Sequence, residues 1–144
     1  MGANFLLNVG PAADGSVPLM QRATMQCIGK WMDIYGKAVR NGRPWLIFEG
    51  KKDFVLKDAF DGDIAYLFCF DTGHGAGDGN VSTDLSANGW LHLEGADREI
   101  ASAKWMDNGR DLGVTVDNGK TYVKPEGYGY GVSLCVRVAE LRLK

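Results

Sequence analysis

Ile64-Ala65-Tyr66-Leu67-Phe68-Cys69-Phe70 is, with Val132-Ser133-Leu134-Cys135-Val136-Arg137-Val138, the best-alternating run in the chain. Period-two patterning over seven residues reads as a β-strand, because successive side chains of a strand point to opposite faces. In the second run Val132, Leu134, Val136 and Val138 share one face, and Ser133, Cys135 and Arg137 the other. This pattern predicts a strand facing the core with a partly solvated back. Working outward, similar short runs occupy Trp45 to Phe48, Phe54 to Leu56, Gly89 to Leu93, Ile100 to Trp105 and Leu112 to Val116, and the last run extends from Gly131 through Val138 toward Leu143. Asp61-Gly62, Asn88-Gly89, Asn108-Gly109 and Asn118-Gly119 are turn signals between several of them. Six or seven short strands with no intervening helix predict an antiparallel β-sandwich.

The chain before Gly42 has a different character. Phe5-Leu6-Leu7-Asn8-Val9 is apolar apart from Asn8, as expected of a strand covered on both faces in a parallel sheet, and Gly10-Pro11 ends it. A helix is expected from about Pro18 to Tyr35, with Met20, Ala23, Cys27, Ile28, Trp31 and Ile34 on one face and Gly36 as its stop. The predicted organisation is residues 1–41 as one strand-and-helix unit and residues 42–144 as the sandwich.

Composition narrows the classes of function. The 144 residues fit one domain, or one small domain with a short extra element, and carry a net charge of −2. The broad basic face of a nucleic-acid binder is therefore not expected. No stretch approaches the roughly 20 apolar residues of a membrane span. Cys27, Cys69 and Cys135 are far apart, each within an apolar run, so they read as small hydrophobes and not as metal ligands or a disulfide framework. No cofactor site is expected.

Gly2, Asn4, Leu6, Leu7, Asn8, Val9, Gly10, Pro11, Asp14 and Gly15, followed by Gly29, Trp31, Gly36 and Pro44-Trp45, resemble the end of the catalytic (β/α)8 barrel in α-L-fucosidases of glycoside hydrolase family 29. Ile64 to Phe68, Lys104-Trp105, Leu112 to Val116 and the final strand are similar to the β-sandwich that follows that barrel. Lys37-Ala38-Val39-Arg40 departs from the family in lacking its acidic residue and Ile-Tyr pair, and Phe5 stands where leucine is usual.

The resemblance implies the last βα unit of a barrel joined to a C-terminal sandwich. It implies a retaining parent enzyme, in which an aspartate attacks the anomeric carbon and a glutamate serves as acid and then base. None of the matched positions corresponds to either carboxylate, so no catalytic residue is assigned, and the chain alone is expected to be inactive. The expected partners are fucosylated glycans, reached through the parent enzyme, and the missing catalytic barrel. The parent's location is expected to be secreted, periplasmic or lysosomal. The alternatives are a non-catalytic carbohydrate-binding sandwich and a stand-alone interaction domain.

Several residues invite a functional reading. Asn8 and Asp14 lie at the end of the expected strand where barrels place their sites, and could line a sugar pocket; fixing loops, a turn or a helix end is the favoured role. Trp90 and, next, Tyr128 are candidates for stacking on a sugar, although a large aromatic in a strand more often fills the core, as expected for Trp105. Asp58, Asp61 and Asp63 could imitate a catalytic pair, but turn chemistry around Gly62 explains them more simply. The glycine-rich loop around His74, with Asp78, Asn80, Ser82 and Asp84, lacks the glycine and glutamate of a calcium loop. Without barrel neighbours, the first strand and the helix face of Met20, Cys27 and Trp31 are expected to be covered, by the sandwich or by self-association through Phe5, Leu7, Met20 and Trp31.

Overall fold

The computed structural model of the chain describes residues 6–70, 90–125 and 136–144. Among the described residues one helix, α1 (Leu19–Asn41), precedes strands β1 (Gly42–Ile47), β2 (Phe54–Asp58), β3 (Ile64–Cys69), β4 (Leu91–His92), β5 (Ile100–Trp105), β6 (Asp111–Asp117), β7 (Lys120–Lys124) and β8 (Arg137–Leu143). The strands form one antiparallel sheet in the order β1-β2-β3-β8-β5-β6-β7-β4. It curls over at β6: Asp111 and Leu112 pair with β5, while Gly113 to Asp117 pair with β7. A strand that changes partners along its length turns a sheet's corner, and the two halves face each other as a sandwich. Shifts of register between Ile100 and Ser102 in β5, and between Pro44 and Leu46 in β1, add the local bends that such curling needs.

The inner layer is built from alternate residues of nearly every strand. Leu46, Val55, Leu67, Leu91, Ile100, Trp105, Leu112, Val123, Leu141 and Leu143 pack together there. A second layer lies on the opposite face of β2, β3 and β8, where α1 contributes Tyr35 and Ala38 against Leu56, Ile64, Tyr66, Phe68 and Val138. Strand β3 is thus covered twice and is buried at all six positions. Ala65, Leu67 and Cys69 face the inner layer, and Ile64, Tyr66 and Phe68 face the helix.

The helix is longer than its sequence signals suggest. It passes through Gly36 and ends at Asn41, because Gly36 is buried on the sheet side and tertiary packing overrides a weak stop. Gly42 then enters β1 directly with extended backbone, its N–H donating to the Ala38 carbonyl. No other residue fits there without movement: a Cβ would lie 2.4 Å from that carbonyl oxygen and 2.5 Å from Leu56 Cδ1.

Other expectations are corrected. Residues 6–10 form no ladder, and Leu6 is 80% exposed. A central strand of a parallel sheet needs neighbours for its N–H and C=O groups, and nothing in the described residues pairs with this segment. Arg137 lies on a buried face of β8, not on a solvated back. Cys27 is exposed, whereas Cys69 is buried; Cys135 lies outside the described residues. Strand β7 is additional to the expected set, following a turn in which Asn118 and Gly119 both have positive φ. Its alternation of Lys120, Thr121, Tyr122, Val123 and Lys124 is half polar, which hid it.

Candidate functional site

Among the described residues four side-chain constellations could carry function. The first is the loop ahead of α1. Asp14 Oδ1 accepts hydrogen bonds from the Ser16 N–H at 2.9 Å and the Ser16 hydroxyl at 2.7 Å, which hold the Asp14 carboxyl below its ordinary range. Gly15 continues the turn with φ of 82°, and the Gly10 N–H donates to Gln21 Oε1 on the helix. Asp14 therefore fixes a turn and does not cap the helix, whose N-cap is Pro18 with no side-chain cap. Asn8 is exposed in the same loop.

The second constellation joins α1 to the sandwich. Arg137 forks onto Asp107, Nε to Oδ2 and Nη2 to Oδ1, each at 2.8 Å, and its guanidinium lies 3.8 Å from the centre of the Trp105 ring. The Tyr35 hydroxyl donates to the same Asp107 carboxylate at 3.1 Å. Burial, and then the Asp107 charge and hydrogen bond, push the Tyr35 hydroxyl pKa upward, so it remains a donor. Trp31 Nε1 donates to the Val136 carbonyl at 2.7 Å, and its ring packs on Tyr35 with centroids 5.0 Å apart. Sequence spacing gave no sign of this clasp, because Tyr35 and Asp107 are 72 residues apart.

The third centres on Asp58. Burial alone would raise its carboxyl pKa, but hydrogen bonds from the Tyr66 hydroxyl, the Phe60 N–H, the Asn41 amide and the Asp61 N–H outweigh it and hold the pKa at about 2. A carboxylate committed to four donors cannot serve as a general acid near neutrality. Asp61 accepts from the Asp63 N–H, and Asp63 pairs with Arg98 at 2.8 Å. The acidic cluster is turn chemistry, with Asp58 also tying the end of α1 to β3.

The fourth lies on the outer face of β4, β7 and β6. The Trp90 ring has Lys124 Nζ 5.7 Å from its centre, and His92 and Tyr122 rings stand 5.1 Å apart. Trp90 is half-buried here, whereas Trp105 is in the core as expected. Tyr128 lies outside the described residues, as do His74 and Asp78 to Asp84. Tyr122 and Lys124 were missed with the strand that carries them.

The fold does not gather the sequence candidates at one place: Asn8 and Asp14 sit ahead of the helix, and Trp90 at the sandwich's far edge strand. Among the described residues no group of three or more His, Cys, Asp or Glu could hold a metal ion. No described helix is long and apolar enough to cross a membrane.

Residues 1–37 match the family model for α-L-fucosidase. A 56-residue segment is 34% identical to tissue α-L-fucosidase of Mus musculus, covering 39% of this chain and 12% of that protein. The whole chain spans only a small part of such relatives. In three dimensions it is similar to α-L-fucosidase isoenzyme 1 from Paenibacillus thiaminolyticus, with a TM-score of 0.70 and 19% identity, covering 98% of this chain and 31% of that one. It is also similar to a family 29 α-L-fucosidase from Bacteroides thetaiotaomicron, with a TM-score of 0.67 and 22% identity over 95% of this chain and 27% of that one. The family match lies on the loop and helix, and the fold match extends over the sandwich. The chain is thus similar to the C-terminal part of α-L-fucosidases of glycoside hydrolase family 29, by sequence over residues 1–37 and by fold over nearly its whole length.

Proposed function

We propose that this chain serves an α-L-fucosidase as a bracing part: the sandwich grips the second half of α1, and α1 with its preceding loop completes the catalytic barrel. The observation that carries the reading is the match of residues 1–37 to the α-L-fucosidase family on the very helix that the Arg137, Asp107 and Tyr35 clasp holds. The hydrolysis of terminal α-L-fucosyl groups then belongs to the whole enzyme. By this reading its two catalytic carboxylates come from outside this chain, in keeping with Asp58, the buried member of the acidic cluster, being held ionised by structural donors.

The exposed apolar residues support the same reading. Leu6, Leu7 and Val9, with Leu19 and Met20 at the start of the helix, form no core with the sandwich and have the character of surface awaiting barrel neighbours. In their absence the same residues offer a route to self-association. By this reading fucosylated glycans meet the barrel, and the parent acts in a secreted, periplasmic or lysosomal setting.

The test is turnover of an aryl α-L-fucoside, by the purified chain and by a fusion of the chain behind a family 29 catalytic barrel deprived of its own C-terminal part. The chain alone should give none, and the fusion should regain activity that the trimmed barrel lacks. Turnover by the chain alone, or a fusion no better than the trimmed barrel, contradicts the reading.

A further inference from the structure

Asparagine followed by glycine occurs at four places in the chain, 41–42, 88–89, 108–109 and 118–119, of which 88–89 lies outside the described residues. The other three hold the same reactive pair in different settings. Asn41 donates its side-chain amide to Asp58 Oδ2 at 3.1 Å, and the Gly42 N–H donates to the Ala38 carbonyl where α1 runs into β1. Asn108 Oδ1 accepts from the Arg110 N–H at 3.0 Å, and the Gly109 N–H donates to the Trp105 carbonyl at 2.9 Å. At 118–119, among the described residues, no hydrogen bond holds the asparagine side chain or the glycine N–H. Asn118 is also the one described residue other than glycine with positive φ, at 49°, and Gly119 follows at 76°. The two residues close the β6–β7 hairpin, where Asp117 faces Lys120. The hairpin tip stands in solvent: Val116 is 53% exposed, and Thr115, Asp117 and Lys120 are exposed beside it.

We propose that Asn118 is a site of spontaneous backbone modification, converting to isoaspartate and so loosening the β6–β7 hairpin. The Gly119 nitrogen gives up its proton to base and attacks Asn118 Cγ. The N–Cγ bond forms as the Cγ–Nδ2 bond breaks, and the departing nitrogen takes a proton from water to leave as ammonia. Water then opens the succinimide ring. Addition at the backbone carbonyl carbon routes the chain through Cβ and Cγ as isoaspartate, and addition at Cγ gives aspartate. Glycine matters at the second position because no Cβ crowds its nitrogen. Ring closure needs the tight turn to open, so the free energy of local opening sets the order of the three pairs. Opening at 118–119 disturbs only the solvated end of one hairpin. At 108–109 it breaks two hydrogen bonds beside the buried Trp105, and at 41–42 it lifts the end of α1 from Leu56. The consequence is local as well. An extra backbone carbon lengthens a two-residue loop that sets the register of Asp117 with Lys120, Val116 with Thr121 and Thr115 with Tyr122. Among the described strands β4 pairs with β7 alone and loosens with it, whereas α1 rests on β2, β3 and β8.

The test is incubation of the full chain in mildly alkaline buffer, with peptide mapping by mass spectrometry for conversion of amide to acid and for isoaspartate. Isoaspartate should form at Asn118 at least about tenfold faster than at Asn108 or Asn41, and faster still as pH rises. In strong denaturant the three rates should converge, because the reacting pair is the same and only the fold separates them. In the converted chain, amide exchange at Val116 and Thr121 should be at least about tenfold faster, with Tyr35 to Asn41 unchanged. Asn118→Gly, which suits the positive φ and lacks the amide, should show no such loosening after the same incubation. Conversion at Asn108 or Asn41 as fast as at Asn118, the same order of rates in denaturant, a hairpin as protected after conversion as before, or equal loosening of Asn118→Gly would overturn the proposal.

Discussion

The two halves of α1 are one continuous helix in two environments. From Arg22 to Lys30 every residue is exposed, while from Trp31 onward the helix sinks into the sheet, with Tyr35 at 3% and Ala38 at 0% exposure. Both halves have ordinary helix formers, so propensity does not separate them. Packing does: the second half has Leu56, Tyr66, Phe68 and Val138 beneath it, and the first half has only the tethered loop of residues 6–18. Most helical stability in proteins comes from a buried face, so the first half should be the weaker. The segment that identifies the family is therefore largely the segment with least support in this chain. The sandwich, whose relatives are recognised chiefly by shape, provides the stability.

The largest expected effect comes from breaking the clasp. Arg137→Ala strands Asp107 and removes the cover of Trp105, and should cost about 3–5 kcal/mol in urea unfolding of the chain. Asp107→Asn, which retains an acceptor for Tyr35, should cost less. A loss within 0.5 kcal/mol for Arg137→Ala would mean that the clasp does not hold the helix.

Acid should act next. The Asp58 pKa is held at about 2, below its ordinary 3.8, so its contribution is complete above pH 3.8 and is lost as pH falls toward 2. That shift corresponds to about 2 kcal/mol. Unfolding free energy measured between pH 5 and pH 2 should fall by this amount more in the natural chain than in Asp58→Asn. Equal slopes would remove Asp58 from the helix-to-sheet junction.

Smaller effects sharpen the contrast between the halves. Trp31→Phe keeps most of the packing and deletes the hydrogen bond to the Val136 carbonyl, at a cost of about 1 kcal/mol by the same unfolding measurement. Met20→Gln, on the exposed half, should change stability by less than about 0.5 kcal/mol. A larger loss at Met20 than at Trp31 would reverse the assignment of strong and weak halves.

How far these regions could be read from sequence follows the same division. Strands β3 and β5 announce themselves, β3 as a short apolar run that is covered on both faces and β5 as apolar positions separated by the exposed Ala101 and Lys104. The end of α1 does not: Gly36 is a plausible stop, and only the sheet beneath explains why the helix runs five residues further to Asn41. Phe5 to Val9 reads as a strand, yet a strand's identity depends on neighbours that its own residues cannot provide. At the candidate sites, Asp14 and Asp58 were legible as turn residues because their partners are two or three positions away. Arg137 on Asp107, and Tyr122 beside His92, depend on strand pairing across 30 residues in each case, and pattern alone holds no trace of them.

The central claim, that the sandwich grips the second half of α1 and leaves the first half to the rest of the enzyme, is tested most directly by amide hydrogen exchange in the monomeric chain. Protection from Tyr35 to Asn41 should approach that of β3 and β8, while Met20 to Ile28 should exchange orders of magnitude faster. Equal protection along the whole helix in a monomer would contradict it.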